Sequence, residues 1–412
     1  MLFPPKISYA PQRVVITGAG IVTALGLGWR ANADGFRVGR RAFRPVSLFD
    51  VTRQRAKEAA EVHLPHALPE TRLSARTSRR LTRASRQLLW AAAEAWRQAG
   101  WEAGGNLPLV LGTTGGGTES GEQYYRVALE PTPVRRGQPT RSLRHQGQRQ
   151  ALDAAEALGF EGPVTMIANA CASGSNALGH AWELVLTGRA ERVLAGGYDA
   201  LSQLAFAGFD SLQALSTTFC RPFDAGRDGL GLGEGAAVLT LESLDSARRR
   251  GADILGEIIG YGAATDCHHL AQPHPEGHAA FRSMQEACAR AGVAPESVGY
   301  VNAHGTGTVL NDASEALAIN RWAGPRARDL SVSSTKGSVG HLLGGSGAVE
   351  AVVCLMVLRE QWLPPAPCIE TPDPACVFPL VRQPRDARVE IALSNSFGFG
   401  GANATLLFRR WP

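Results

Sequence analysis

The sequence predicts an α/β protein made of two halves with a similar rhythm. Short apolar runs rich in β-branched residues read as buried strands, and helical stretches separate them. The series closes near residue 251 and starts again, so the halves are placed at 11–251 and 252–412. At 412 residues the chain is also too long for one simple layered core, which favours two domains or a duplication.

"RVVITGAGIVTALG" (13–26) reads as a strand, a glycine turn and a helix. Gly18 and Gly20 fit a dinucleotide-binding fingerprint, but Thr23 stands at its third glycine and no acidic residue ends a second strand nearby, so a nucleotide site is not expected. Residues 72–98 read as a helix stopped by Gly100. "LPLVLGTTGGG" (107–117) is a buried strand entering a glycine-rich loop, and the Pro- and Arg-rich stretch 131–149 an exposed excursion. "PVTMIAN" (163–169) reads as a buried strand, the following segment as a helix stopped by Gly188, and "RVLAGGYDA" (192–200) as the next strand and loop. "AAVLTLE" (236–242) closes the first half. The second half offers a strand within 252–266, a helix around 278–292, a strand within 298–308 and a helix at 312–322. A strand within 329–335, a helix at 346–360 and strands at 388–395 and 403–408 complete it. No residue-level repeat relates the two series.

Composition excludes several classes. Charged residues make up 19% and hydrophobic ones 44%, the balance of a compact protein rather than a disordered one. A net charge of +5 allows an acidic partner without demanding nucleic acid. Seven cysteines with no C-x-x-C pair argue against a disulfide framework, and no apolar run is long enough to span a membrane. The N-terminal stretch lacks an apolar core of signal-peptide type, so a cytoplasmic location is expected. "DCHHLAQPHPEGH" (266–278) does not read as a metal site, because Pro275 and Gly277 keep His274 and His278 off one helical face. His180 reads as a packing residue.

Four stretches carry candidate chemistry. In "MIANACASGSNALG" (166–179) Cys171 sits where a strand passes into a helix, a place whose free N–H groups favour a thiolate; alone it reads sooner as a cysteine filling a small hole. "VNAHGTGT" delivers His304 with Thr306 and Thr308, and "SSTKGSVGHLLGGSGAVEA" delivers Lys336 and His341. Each lies just beyond a strand end, among glycines and hydroxyls, where α/β folds build sites. A cysteine with histidines suits thiol acyl transfer. In "SNSFGFGGANATLLF" Phe397 and Phe399 flank Gly398, a pattern that suits a gate or a backbone oxyanion donor as well as a plain turn.

Together with "CRPFDAGRDGLGLGEGAAVLTLE" (220–242), these blocks closely resemble the β-ketoacyl-ACP synthase I/II family of the thiolase superfamily, over roughly residues 11–410. The resemblance implies a thiolase-like fold: duplicated βαβαβαββ halves in a five-layered α-β-α-β-α core. It implies an acyltransferase in fatty-acid or specialised lipid synthesis, with Cys171 as nucleophile and the N–H groups of Cys171 and Phe399 as oxyanion hole. His304 and His341 would assist decarboxylation of malonyl-ACP. Lys336 would organise the site, with Glu315 as its expected partner and Asp312 nearby; Glu350 and Asn403 are further supporting residues. Thr306 and Thr308 would touch the carrier arm. Gly115, where relatives often carry a bulky pocket-floor residue, implies more room for the acyl chain. No cofactor is expected beyond the phosphopantetheine borne by an acidic acyl carrier protein, whose docking is assigned to Arg76, Arg79, Arg80, Arg83, Arg135 and Arg136. A homodimer is expected. The polar stretch 119–149 leaves room for a heterodimer with a related ketosynthase-like subunit. A non-catalytic chain-length factor would lack Cys171, a thiolase would carry a second catalytic cysteine, and an initiating synthase would have asparagine at His341.

Overall fold

The computed structural model describes residues 11–132 and 135–412. In the first half β1 (Val14–Thr23), α1 (Arg83–Ala99), β2 (Leu109–Gly112), α2 (Gly147–Leu158), β3 (Val164–Ile167), α3 (Ser173–Leu186), β4 (Arg192–Asp199) and β5 (Gly235–Ser243) follow in order. In the second, β6 (Gly256–Thr265), α4 (His278–Ala291), β7 (Tyr300–Asn302), α5 (Val309–Ala323), β8 (Ser331–Ser333), α6 (Ser346–Glu360), β9 (Ile391–Phe397) and β10 (Ala402–Arg409) repeat the same sequence of elements. Strand order is β3-β2-β4-β5-β1 in one half and β8-β7-β9-β10-β6 in the other. In both, the first three strands run parallel and the last two pair antiparallel. Antiparallel pairing of Val14–Ile16 with Gly256–Ile258 joins them.

The layers follow from the helix surfaces. In α6 every residue from Ser346 to Leu358 is buried, as a helix sandwiched on all sides must be. It lies with α3 between the two halves of the sheet, while α1 with α2 and α4 with α5 cover the outer faces. This is the five-layered arrangement.

The duplication reaches single residues. Ala170 (φ 57°) and Leu343 (φ 50°) both adopt the left-handed region, each opening a one-turn 3-10 segment that leads into a central helix. Ser173 Oγ accepts the Asn169 N–H at 3.0 Å, and Ser346 Oγ accepts the Leu342 N–H at 2.9 Å, the same four-residue offset. A repeat is therefore present where the sequence alone revealed none.

Other expectations need correction. Gly18 and Gly20 form no turn; they lie inside β1, where α1 crosses. A Cβ on Gly20 would stand 1.9 Å from the Ala91 carbonyl oxygen, and one on Gly18 2.1 Å from that of Ala95. These glycines serve helix–sheet contact. The helix expected over 72–98 is split. Ser74 caps a single turn (Ala75–Ser78), and the Thr82 hydroxyl accepts the Ser85 N–H to start α1 afresh. The excursion expected at 131–149, of which 133 and 134 lie outside the described residues, is helical over Gln138–His145 and into α2, although nothing in Gln138–His145 is buried. β3 is an edge strand and only half-buried, because among the described residues no strand pairs with its outer side.

Gly20→Ala is expected to lower stability by about 3 kcal/mol, since neither the strand nor the helix backbone can yield. Gly208→Ala, in the exposed helix Gln203–Ser211 with open space around its Cβ, should be neutral or stabilising by up to about 1 kcal/mol. Thermal denaturation of the pair checks both signs.

Candidate active site

Cys171 lies in the 3-10 turn Ala170–Ala172, between the end of β3 and the start of α3. The left-handed Ala170 and the Ser173 clamp turn its thiol inward, where it is buried. The backbone N–H groups of Cys171 and Phe399 both face its sulfur. Phe399 reaches it because Gly398 lacks a side chain: a Cβ there would sit 3.1 Å from Cys171 N. Burial pushes the thiol up to about 12, against the opposite pull of the Lys336 charge and the two N–H groups. The thiolate expected at a helix start is thus not the resting form, because desolvation outweighs the helix end.

His304 lies early in the loop that follows β7, and Glu315 on α5 fixes that loop by accepting the N–H groups of His304 and Gly305, both at 2.8 Å. Asp312 accepts those of Thr306 (3.0 Å), Gly307 (3.1 Å) and Phe223 (2.8 Å). Burial raises the Glu315 carboxyl to about 7. The partner of Lys336 is therefore not Glu315, whose oxygens are occupied by backbone donors. The ammonium pairs with Glu350 on α6 and donates to the His304 carbonyl at 2.6 Å. Burial likewise lifts Glu350 to about 7, against the pull of Lys336.

The two imidazoles stand edge to face, 5.3 Å between centroids. Burial first, and the Lys336 charge second, hold both well below the usual imidazole range, so both are neutral. Their tautomers follow from their neighbours. His304 Nδ1 lies 3.4 Å from the Lys336 ammonium, which can only donate, so its hydrogen is on Nε2. His341 Nδ1 lies 2.9 Å from Ser346 Oγ. That hydroxyl also accepts the Leu342 N–H and has one proton to give; donated to Nδ1, it leaves the His341 hydrogen on Nε2.

One cavity of about 470 Å³ brings these groups together: Cys171, His304, His341, Thr306, Thr308, Phe397, Gly398, Phe399 and Asn403 all line it. Phe397 packs 5.6 Å from the His304 ring, and Phe399 lies 5.9 Å from Phe209 at the mouth. The turn is tied to the opposite lip: Gly400 N–H donates to Leu270 O at 2.7 Å, and Asp266 N–H to Gly401 O at 2.8 Å. Such a site can hold negative charge at two places, under two backbone donors and between two neutral imidazoles. Among the described residues no cluster of His, Cys, Asp or Glu is arranged to hold a metal ion.

Some expected residues fall elsewhere. Gly115 does not line the cavity; its N–H donates to Asp199 at 2.7 Å, holding the glycine loop. Arg83 is no docking residue, because its guanidinium is bound to the buried Glu234. Arg76, Arg79, Arg80, Arg135 and Arg136 are exposed, and none lines the cavity. Asp199 escaped the sequence reading. It accepts Thr113 Oγ1 and the N–H groups of Thr114, Gly115 and Gly344 within 2.9 Å, lashing the β2 loop to the turn before α6. Its one signal was an acid at the end of an otherwise apolar strand.

Family profiles for the beta-ketoacyl synthase N-terminal and C-terminal domains match residues 11–247 and 255–370. The chain belongs to the β-ketoacyl synthase family. It is 38% identical to a 3-oxoacyl-[acyl-carrier-protein] synthase 2 from Synechocystis sp., over 97% of this chain and 98% of that one. The structure of the ishigamide ketosynthase/chain length factor matches with a TM-score of 0.90 at 30% identity, covering 98% and 100% of the two chains. A type II polyketide ketosynthase solved with its acyl carrier protein matches with a TM-score of 0.87 at 26% identity, covering 98% and 100%. The family is one of acyltransferases, and the fold is thiolase-like.

Lys336→Met is expected to raise the titration midpoints of both histidines, since the ammonium is what burial is joined by in lowering them. Histidine-resolved NMR titration reads this directly; unchanged midpoints would mean that Lys336 acts on Glu350 alone.

Proposed function

We propose that the chain is a β-ketoacyl-ACP synthase that joins an acyl group held on Cys171 to a malonyl unit, in fatty-acid or specialised lipid synthesis. The observation that carries this reading is a cysteine under two backbone donors, sharing one cavity with two neutral imidazoles. In the first step Cys171 Sγ attacks the carbonyl carbon of an acyl thioester. The N–H groups of Cys171 and Phe399 hold the developing oxyanion, the pantetheine C–S bond breaks, and the thiol proton goes to the leaving sulfur. Because the free thiol is held near 12, proton loss accompanies attack.

In the second step the malonyl thioester occupies the same cavity, its arm against Thr306 and Thr308. The C–C bond to its carboxylate breaks, carbon dioxide leaves, and the electron pair forms an enolate. Nε2–H of His304 and of His341 hold the enolate oxygen. The enolate carbon attacks the acyl-Cys171 carbonyl, the C–Sγ bond breaks, and Sγ regains a proton from solvent. Removing a donor of this kind costs about 3–4 kcal/mol.

The partner is an acyl carrier protein, whose phosphopantetheine bears both substrates. A second chain covers the outer side of β3, where Val164, Met166 and Ile167 are left half-exposed on the strand that leads to Cys171. A second copy is the simplest occupant. Similarity to a ketosynthase/chain length factor supports a related, unequal subunit as the alternative. Among the described residues no helix is long and apolar enough to cross a membrane.

The test mixes the protein with acyl-ACP and malonyl-ACP across acyl lengths. Mass spectrometry should find acyl on Cys171 and a product longer by two carbons, both lost in Cys171→Ala. His341→Ala should keep acylation while slowing condensation by about 10²–10³-fold. Neither acyl-enzyme nor product at any chain length would overturn the assignment.

A further inference from the structure

The segment that joins β6 to α4 carries His268, His269 and His274, and His278 opens α4 itself. This segment forms one lip of the Cys171 cavity, with Asp266, His269, Leu270 and Pro273 in the lining. The reaction as proposed uses none of these imidazoles. Two of them hold the lip's backbone. His269 Nδ1 accepts the Ala271 N–H at 3.1 Å, and His274 Nδ1 accepts the Glu276 N–H at 3.2 Å. Each ring thereby closes a short turn on its own chain, as an asparagine or aspartate side chain does elsewhere. An imidazole accepts only through a nitrogen that carries no hydrogen, so both turns require the neutral ring. Asp266 completes the lip by accepting the N–H groups of His268 at 3.0 Å and His274 at 2.7 Å.

The rings also crowd one another. His274 stacks on His278 with 4.2 Å between centroids, and His268 meets His274 edge-on at 5.1 Å. Neutral imidazoles pack in this way, whereas imidazolium ions so placed repel. Imidazole is also the side chain that changes charge across the physiological pH range. The carboxylates of Asp266 and of Glu276, the latter 2.8 Å from His278, draw protons toward the lip. α5 meets it through Ser314, whose hydroxyl donates to His274 O at 2.8 Å, and through Ala318 beside Gly277. The acids of α5, Asp312 and Glu315, are turned instead to the His304 loop, and Asp228 lines the same cavity. The lip is fastened in turn to the Phe399 turn, through Gly400 N–H on Leu270 O and Asp266 N–H on Gly401 O. We infer that His269 and His274 form an acid-sensitive clasp: a solvent proton taken up at each Nδ1 releases its turn and frees the lip together with the Phe399 turn. The clasp is closed while the rings are neutral and opens as pH falls. It is a property of the lip's backbone and stands apart from the condensing chemistry.

Hydrogen–deuterium exchange read by mass spectrometry tests this on the whole protein, at about pH 8 and about pH 5.5, with each rate divided by the intrinsic rate at that pH. In the unchanged protein, protection of 266–277 and of 398–402 should fall by about tenfold in acid, the worth of one or two hydrogen bonds, while α6 changes by less than about twofold. The double variant His269→Asn with His274→Asn keeps an acceptor at the same reach from the backbone, and an amide oxygen takes up no proton in this range. Its two segments should stay equally protected at both pH values. The double variant His269→Ala with His274→Ala has no acceptor and should be loose at both. Three results would overturn the proposal. The asparagine variant loosens in acid as much as the unchanged protein, which assigns the effect to other groups. The alanine variant stays protected at the higher pH, which means that the imidazoles do not hold the lip. Residues 266–277 loosen with 398–402 unmoved, which breaks the link to the Phe399 turn. Exchange needs no turnover, so the result is independent of whether Cys171 is acylated.

Discussion

The site depends on how closely two helix starts are allowed to meet. α3 and α6 begin side by side at the centre of the molecule, each preceded by a 3-10 turn with a left-handed first residue. A Cβ on Gly174 would lie 2.7 Å from Gly344 O and 2.9 Å from Ala348 N, and one on Gly347 2.3 Å from Ser175 Oγ. Any larger residue would push the two starts apart, at a cost of order 1–3 kcal/mol and a displacement that the reacting groups would feel. Part of the site hangs from this contact. Cys171 is on one turn; Ser346, whose hydroxyl meets His341 Nδ1, opens the other helix; and Glu350, the partner of Lys336, is one turn further along it.

The duplication explains why the two halves do different chemistry with the same parts. In the first half the Ser173 hydroxyl accepts a backbone N–H and returns its proton to Ala170 O, which closes the nucleophile's turn on itself. In the second half Ser346 accepts the equivalent N–H but turns toward His341 Nδ1, 2.9 Å away. One serine fixes a backbone and the other meets a side chain of the cavity. Asp199 then ties the halves together, because its carboxylate takes N–H groups from the glycine loop after β2 and from Gly344 beside Cys171's helix.

The element order, the two-series rhythm and the residues that converge on the cavity were legible in the sequence, because each rests on a local pattern: an apolar run, a cap, a polar residue just past a strand. What was hidden rests on contacts distant in sequence. Gly18 and Gly20 looked like a turn, since glycine marks close approach without saying to what; here the neighbour is helix α1. β3 looked buried because its residues are apolar, and composition does not distinguish a strand flanked on both sides from one at the edge of its sheet. Glu315 looked like the partner of Lys336 because both lie near functional loops. Only the fold reveals that backbone N–H groups occupy Glu315 and that Glu350, fourteen residues from Lys336, turns inward to meet it.

These assignments give the resting site a particular electrical state. Lys336 is matched by Glu350, both imidazoles are neutral, and Cys171 carries its proton. The cysteine and the two imidazoles carry no charge at rest, although the carboxylates of Asp228 and Asp266 line the same cavity. A thiolate or an imidazolium held there permanently would bear the full penalty of desolvation. Charge that arises only during reaction meets N–H groups fixed by the backbone and by Ser346 and Lys336, with no reorganisation needed at that moment. The burial that raises the cysteine and lowers the histidines therefore serves one end. It keeps the cysteine and the imidazoles uncharged at rest, and in the proposed reaction it would strengthen each preset donor as the oxyanion and the enolate form in turn.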